Sequence, residues 1–259
     1  MLPLAITPND WRDWIDHRSD NESLYLSDDD LPPGVAHVYS PDGAYLNVDR
    51  RSRVAYDSAG VYLYLLTRPL FESFPFEQGL VERRIDTARG LATHKRFYLP
   101  APVRGGGHAK RMMRRAVGLY DALGVTHVEL VAQSVGKYVW AKCGFDFASG
   151  GDRLTVNTAA AEFARELGIS EDWVGLRHPW HFALLDVQDG EEVLVPRQAV
   201  LDALERRGTP APYALEDEGI APSKALLIHS RYFEWNGVLN LNVESRGRAC
   251  LLTYTEDYR

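Results

Sequence analysis

Residues 94–124 read HKRFYLPAPVRGGGHAKRMMRRAVGLYDALG and decide the fold. The run at 94–99 predicts a strand, which Pro100-Ala101-Pro102 ends because proline has no N–H for a sheet. Three glycines at 105–107 then form a turn. Apolar residues at helical spacing predict an amphipathic helix that stops at Gly124. These residues are Ala109, Met112, Met113, Ala116, Tyr120 and Leu123.

The glycine-rich turn has the properties of an anion-binding site. A helix N-terminus offers free N–H groups and a partial positive dipole, and glycines let the backbone approach an anion closely. Two known phosphate motifs do not fit, however. Gly136-Lys137 is followed by Tyr138, unlike a P-loop, and Lys110 stands where a dinucleotide fingerprint starting at Gly105 needs glycine. The turn alone predicts either a phosphate cradle or only a tight turn.

The residues before this stretch predict an antiparallel meander. Strand-like runs lie at 35–39, 53–56 and 61–66, separated by Pro-Asp-Gly and Ser-Ala-Gly turns. A short capped helix is expected at 8–15. Residues 67–91 are ambiguous and fit no single element.

The residues directly after this stretch predict three short elements. A buried strand is expected at 128–132 and a short helix at 137–142, which stops at Gly144. A further strand is expected at 145–147. The order of strand, helix and strand therefore continues to about residue 150.

The last hundred residues have their own pattern. One helix is expected between a cap at Asn157 and a stop at Gly168, and a second between Pro196 and Gly208. An Asn-Gly pair between two apolar runs, in Trp235-Asn236-Gly237, predicts a hairpin. Its strands would be 225–233 and 238–243, with 248–255 as a third strand.

The whole chain is therefore expected to be α+β. The composition changes at Ser149-Gly150-Gly151-Asp152. This change predicts a first domain at 1–150 and a C-terminal α+β extension at 151–259. The extension would form part of an acceptor site or a subunit contact, the latter as in a homodimer.

Composition excludes several classes of protein. The 259 residues carry a formal charge of −7 and are 45% hydrophobic, which is typical of a globular chain and unlike a disordered one. The acidic balance argues against a nucleic-acid or membrane-surface binder. Two cysteines, Cys143 and Cys250, do not make a disulfide framework, so a reducing compartment is expected. With no signal peptide or membrane span in the sequence, a cytoplasmic protein is expected.

Arg104-x-x-Gly107-x-Ala109 resembles the Arg/Gln-x-x-Gly-x-Gly/Ala turn of the GNAT superfamily of acyl-CoA-dependent N-acyltransferases. The order of strand, turn, helix and strand around it is similar to that of the family. The run from Trp140 to Phe145 resembles the second family signature, an aromatic residue four positions before Gly-Phe. The resemblance covers residues 90–150 well, extends less clearly to 35–90 and is absent from 150–259. It implies a GNAT-like sheet, which is mixed, mostly antiparallel and flanked by helices, and it implies acyl transfer from coenzyme A.

The resemblance also implies where acyl-CoA binds. The pyrophosphate would lie on the backbone N–H groups of residues 104–109, and the pantetheine arm would pair with the strand near Leu99. The Leu99 N–H would polarise the thioester carbonyl, and Arg111 could add a phosphate contact. The implied cofactor-binding residues are Leu99, Arg104, Gly105, Gly106, Gly107, His108, Ala109, Lys110, Ser134 and Trp140.

The acid and the base are less clearly marked. The family commonly has a tyrosine where this chain has Trp140, and an indole N–H cannot act as a general acid. Tyr138 lies on another helix face, which argues against it as the acid, and solvent could instead supply the proton to the thiolate. Two residues are candidates for the base that deprotonates the acceptor amine. They are His94, at the start of the strand before the turn, and Glu129 on the following strand.

The expected function is transfer of an acyl group to an amine, with acetyl-CoA as the expected donor. The acceptor would be a peptide, a protein lysine or a small cation, since the net charge attracts cations. One alternative is a catalytically silent coenzyme A-binding module, and another is a peptide-tailoring enzyme that uses a longer acyl chain. His178-x-x-His181 has metal-ligand residues, but no cysteine or carboxylate at useful spacing completes a site. No metal is therefore expected.

Overall fold

The computed structural model divides into two compact units. The first contains Met1–Leu130, Asn240–Ser245 and Leu252–Arg259, and the second contains Val131–Leu239 and Arg246–Leu251. Within them the structure describes residues 6–16, 24–25, 32, 34–35, 38, 46–48, 53–57, 60–69, 79–99, 107–133, 136–170, 177–208, 218–229 and 234–256. The expected α+β class is confirmed. The predicted boundary at 150/151 falls inside the second unit, where a helix begins.

The first unit is built on a mixed, mostly antiparallel sheet. Six of its seven strands run in the order β1, β3, β4, β5, β6, β7, and the seventh, β2, pairs with the last residues of β4. Neighbours are antiparallel except β6 and β7, which are parallel. The strands are β1 (Leu24–Tyr25), β2 (Leu46–Val48), β3 (Arg53–Asp57), β4 (Gly60–Pro69), β5 (Gly79–Asp86), β6 (Leu91–Tyr98) and β7 (His127–Ala132).

The structure confirms the two helices that the sequence predicts at 8–15 and after the glycine-rich turn. Helix α1 (Pro8–Asp16) is capped by Thr7, whose N–H and hydroxyl donate to the Asp10 carboxylate. Helix α2 (His108–Ala122) buries Met112, Met113 and other apolar side chains of the predicted stripe. It ends before Gly124, which has φ +72°.

Two sequence interpretations in the first unit need correction. The strand predicted at 35–39 is wrong at its described positions, because Val35 and Val38 are helical and the Val38 N–H donates to the Gly34 carbonyl at 3.2 Å. Both valines are fully buried, and their spacing of three fits one helix face. The ambiguous stretch at 67–91 contains strand β5, whose central charged residues obscure its strand pattern.

Strand β6 carries a bulge next to the end of its parallel pairing. Glu82 pairs with Arg96 and Arg83 pairs with His94, so Lys95 is an extra residue on β6. Pairing with β7 runs from Leu91 only as far as His94. The strand therefore changes its register at Lys95, three residues before it ends at Tyr98.

The second unit is mostly helical. Its helices are α3 (Gly136–Lys142), α4 (Gly150–Leu167), a 3-10 helix (Pro179–Asp186), α5 (Arg197–Arg206), α6 (Pro222–Lys224), which continues as a π-helix (Ala225–His229), and the first residues of α7 (Arg246–Tyr254). Strands β9 (Val187–Gln188) and β10 (Glu191–Glu192) pair with each other, as do β11 (Val195–Pro196) and β12 (Gly219–Ile220). Strand β8 (Asp146–Phe147) is antiparallel to β13 (Trp235–Asn240).

Several expectations for the last hundred residues are wrong. Asn157 lies inside α4, which begins at Gly150 because the Ser149 hydroxyl caps it by accepting the Asp152 N–H at 3.0 Å. The Asn-Gly pair is not a hairpin turn but part of β13, where the Asn236 N–H donates to the Asp152 carboxylate at 2.9 Å. Residues 225–229 and Arg246–Tyr254 are helical rather than extended. The helices ending at Gly168 and Gly208 are confirmed.

None of the helices in the described parts of the chain combines the length and the apolar character that crossing a membrane requires.

Candidate functional site

The candidate site is the turn between β6 and α2. Its last residue, Gly107, is the N-cap of α2 and has φ +72°, a left-handed conformation that glycine adopts without strain. The first turn of α2 contains no acidic side chain. Arg104, Gly105, Gly106 and Ser134 lie outside the described residues. At the described end of the turn, a left-handed glycine thus precedes a helix whose first turn has no carboxylate to offset its partial positive charge.

The side chains at the start of α2 supply positive charge around this N-terminus. His108 is buried, and burial followed by the nearby Arg111 guanidinium lowers its pKa, so that it is neutral at pH 7. Arg111 Nη2 lies 3.1 Å from His108 Nδ1. Lys110 Nζ lies 4.2 Å from the centre of the Tyr254 ring, also in the first unit. Two cations, Lys110 and Arg111, are therefore held beside the first turn.

The other described residues of the predicted coenzyme site lie at the end of β6 and at the start of α2. Leu99 directly follows β6 and is half-buried, and Ala109 is half-buried in the first turn of α2. Tyr98, the last residue of β6, is exposed. The strand end expected to contact a cofactor arm is thus open to solvent at Tyr98.

The two candidate bases have opposite environments. His94 is only 4% exposed, and its Nε2 lies 2.6 Å from the Tyr120 hydroxyl. Burial, and then the charge of Arg83, hold the pKa of His94 well below its usual value, so His94 is neutral and a weak base. Glu129 is exposed on β7, opposite Thr93 in the parallel register. Either role as a base stays a prediction.

Trp140 and the glycine that follows it belong to the second unit. Trp140 is 7% exposed and packs edge-to-face on Phe145, with ring centres 5.5 Å apart. Gly144 has φ +86°, and a Cβ there would lie 2.6 Å from the Gly247 carbonyl oxygen and 2.7 Å from Cys250 Cβ. Trp140 and Phe145 of the second signature thus pack on each other, and Gly144 occupies a position that has no room for a side chain.

Tyr138 is tied to a neighbouring lysine. The Lys142 ammonium donates to the Tyr138 hydroxyl at 2.9 Å and lies 3.3 Å from the Asp186 carboxylate, and these contacts raise the pKa of Lys142 against the effect of burial. Asp186 also accepts the N–H and the hydroxyl of Ser223. This network holds the 3-10 helix against α3 and α6.

Sequence reasoning missed a stacked cluster around His178. Its Nδ1 lies 2.7 Å from the Asp146 carboxylate, and its ring stacks on Trp180 at 4.7 Å. Arg246 covers the Trp180 ring at 4.1 Å, and His181 contacts it edge-on. The HPWH run was a signal, but its partners Asp146 and Arg246 are distant in sequence. Among the described residues, no group of three or more His, Cys, Asp and Glu side chains could hold a metal ion.

A second missed residue is Arg83 on β5. Its guanidinium is 1% exposed and donates to the Glu82 and Arg96 carbonyls that flank the bulge. Nothing in the local sequence distinguishes it from its charged neighbours Glu82 and Arg84, because burial of Arg83 follows from its register against β4 and β6.

Comparisons with protein-family models, with curated proteins and with solved structures find no match to this chain.

Proposed function

We propose that this protein is an N-acyltransferase that moves an acyl group, with acetyl as the expected group, from coenzyme A to an amine. The observation that carries the proposal is the left-handed Gly107 at the N-cap of α2, between a strand and a helix with no acidic residue in its first turn. Lys110 and Arg111 add positive charge at the same place. Backbone N–H groups at such a helix start are a favourable site for a pyrophosphate.

The order of elements supports the same proposal. Strand β6, helix α2 and strand β7 form a parallel unit, and parallel pairing ends at His94. The backbone of β6 after His94 leads to Leu99 and the turn. The Leu99 N–H is the proposed donor to the thioester carbonyl, a contact of a kind worth a factor of about 10²–10³ in rate.

In the proposed reaction the neutral acceptor amine attacks the thioester carbonyl carbon. A C–N bond forms, the C–S bond breaks, and the coenzyme leaves as a thiolate. Solvent protonates this thiolate, because Trp140 has no proton it can give up near neutral pH. Glu129 is exposed and can accept the ammonium proton, whereas His94 is already engaged with Tyr120.

A second candidate is a coenzyme A-binding module without catalysis, and Trp140 is the residue that favours it. Turnover of acetyl-CoA against a panel of amines and basic peptides discriminates the two proposals. Release of free thiol that depends on an amine supports the enzyme. Binding without any thiol release supports the module.

Both proposals require coenzyme A to bind at the turn before α2, and the two glycines that flank this helix allow a test of that binding. Gly107 and Gly124 flank α2, and both have φ +72°. A Cβ at Gly124 meets nothing within 4 Å. Gly107→Val and Gly124→Val therefore carry similar backbone strain, but only the first places a side chain where the pyrophosphate would lie.

Calorimetry with coenzyme A should show binding lost in Gly107→Val and retained in Gly124→Val. Circular dichroism establishes that both variants are folded. Equal affinity in two folded variants would overturn the proposal that this turn binds the coenzyme.

A further inference from the structure

Arg83 is a buried cation in the first unit. Its side chain is 1% exposed, and Nη1 donates to the carbonyl oxygens of Glu82 at 2.9 Å and Arg96 at 2.7 Å. Its Nε has no hydrogen-bond partner, and no carboxylate lies within ion-pair distance among the described residues. A buried charge is costly unless an opposite charge accompanies it.

The strand that carries Arg83 cannot neutralise it. The acidic residues of β5 are Glu82 and Asp86, and their even positions place them on the opposite face of the sheet from Arg83. Glu82 instead lies 3.3 Å from the Arg96 guanidinium. Both carboxylates of the strand are therefore directed away from Arg83.

The surroundings of Arg83 are apolar. Leu63 on β4 is its register partner on one side, and Val81 and Ile85 share its face of β5; all three are fully buried. The Arg83 guanidinium lies 5.3 Å from the centre of the Phe97 ring. A ligand bound here would need an apolar body.

Within the described part of the chain, the polar groups near Arg83 carry no negative charge. His94 is its register partner on β6 and is bonded to the Tyr120 hydroxyl of α2. The low pKa of His94 keeps it neutral beside the guanidinium. Among the residues that the structure describes, the face between the sheet and α2 thus combines a buried cation without a counter-charge, neutral hydrogen-bonding groups and apolar side chains.

We propose that Arg83 is the anchor of a binding site for a small carboxylic acid with an apolar chain, located between the β5–β6 face and α2. The guanidinium is a planar fork that matches a carboxylate, and a single cation balances a single charge rather than a doubly charged phosphate. This site is distinct from the proposed coenzyme turn at Gly107 and does not depend on the acyltransferase proposal. Because Arg83 is buried, the side chains that cover it must move before the acid can bind. We therefore expect slow association.

The test is a titration of the full chain with hexanoate, with 1-hexanol as a probe of similar chain length and no charge. Calorimetry should show saturable binding of hexanoate that is at least tenfold tighter than that of 1-hexanol. Arg83→Met should abolish this preference, and Arg83→Lys should weaken it. The matched control is Arg84→Met, on the next residue and the opposite face of β5, which should bind hexanoate as the unmodified chain does.

A second measurement keeps the proposal testable if Arg83→Met does not fold. A bound carboxylate offsets the charge of Arg83, so NMR should show the pKa of His94 rising when the unmodified protein is saturated with hexanoate. No saturable binding, no response of His94, or unchanged hexanoate affinity in folded Arg83→Met would overturn the proposal. In that case Arg83 would serve only to hold the two carbonyls beside the bulge.

Discussion

His229 makes the stability of the protein depend on acid pH. It is 3% exposed in the π-helix, and burial followed by the charges of Lys224 and Lys137 lowers its pKa from 6.5 to about 4. Between these values the unfolded chain binds a proton that the folded chain does not. The free energy of unfolding therefore falls as the pH decreases from 6.5 towards 4, by up to about 1.4 kcal/mol per pH unit.

His229→Leu should remove this contribution. Urea unfolding of the variant and the unmodified protein at pH 7, 6 and 5 measures it. The two profiles should converge or cross at low pH, with the smaller loss in the variant. Parallel profiles would show that His229 does not titrate as its surroundings require.

Trp140 allows a test of how the proposed enzyme treats its donor. Its burial against Phe145 points to a packing role. We therefore expect Trp140→Tyr to alter the preference for acyl-chain length, with little gain on acetyl-CoA. The measurement is a donor series from acetyl to long-chain acyl-CoA with one acceptor. A tenfold rise in acetyl turnover, about 1.4 kcal/mol off the barrier, with unchanged preference would contradict this and indicate a missing acid.

At the scale of elements, Gly144 follows the end of α3 and packs against the start of α7. It combines a positive φ with a crowded position, whereas Gly124 has a positive φ and open space. Gly124→Ala should therefore cost about 1 kcal/mol of unfolding free energy from backbone strain alone. Gly144→Ala should cost about 3 kcal/mol or more, because its Cβ also meets the backbone of Gly247.

Chemical denaturation of both variants measures this difference. Both glycines follow a helix in a left-handed conformation, so the backbone strain of the two substitutions is similar. The difference between the two losses therefore measures the cost of steric crowding at Gly144. Equal losses in the two variants would mean that α7 moves away from Gly144 without cost.

Elements with strong local signals were predictable from sequence, and elements set by distant partners were not. The stripe of Met112, Met113 and Ala116 predicted α2, and Gly124 predicted its end, because helix periodicity and left-handed caps are local properties. The Asn-Gly pair at 236–237 is not a hairpin turn because Gly237 pairs with Phe147 of the distant strand β8, and the Asn236 N–H also donates to Asp152.

The candidate site shows the same division. The turn at residues 105–107 before α2 was predictable, because three glycines precede an amphipathic helical stripe. The positive φ of Gly107 was not predicted. The state of His94 was not predictable, because its low pKa comes first from burial under distant elements and then from the charge of Arg83 on another strand. Its hydrogen-bond partner, Tyr120, lies on a helix. Burial and charge at a site depend on register, which the sequence of one strand does not contain.

At the scale of the whole molecule, late residues complete the first unit. The Leu241 N–H donates to the Thr126 carbonyl at 2.8 Å, and Arg114 Nη1 donates to the Leu252 carbonyl at 3.4 Å. Lys110 contacts Tyr254. A fragment of residues 1–150 lacks all three contacts.

We therefore expect the 1–150 fragment to be less stable than the same residues in the full chain, and to bind coenzyme A more weakly because Lys110 loses its support. Urea unfolding followed by tryptophan fluorescence and calorimetry with coenzyme A test this. A fragment that unfolds cooperatively at the midpoint of the full chain would show that the late residues contribute little.

The return of the chain to its first unit also has a consequence for synthesis. A ribosome adding about 5–20 residues per second needs roughly 5–20 seconds to make the residues between Leu130 and Leu241. Throughout this time the partner of the Thr126 carbonyl does not yet exist. The nascent first unit must therefore wait without the late partners of Thr126, Arg114 and Lys110, and a chaperone that shields exposed β-strand edges would act on it during this interval.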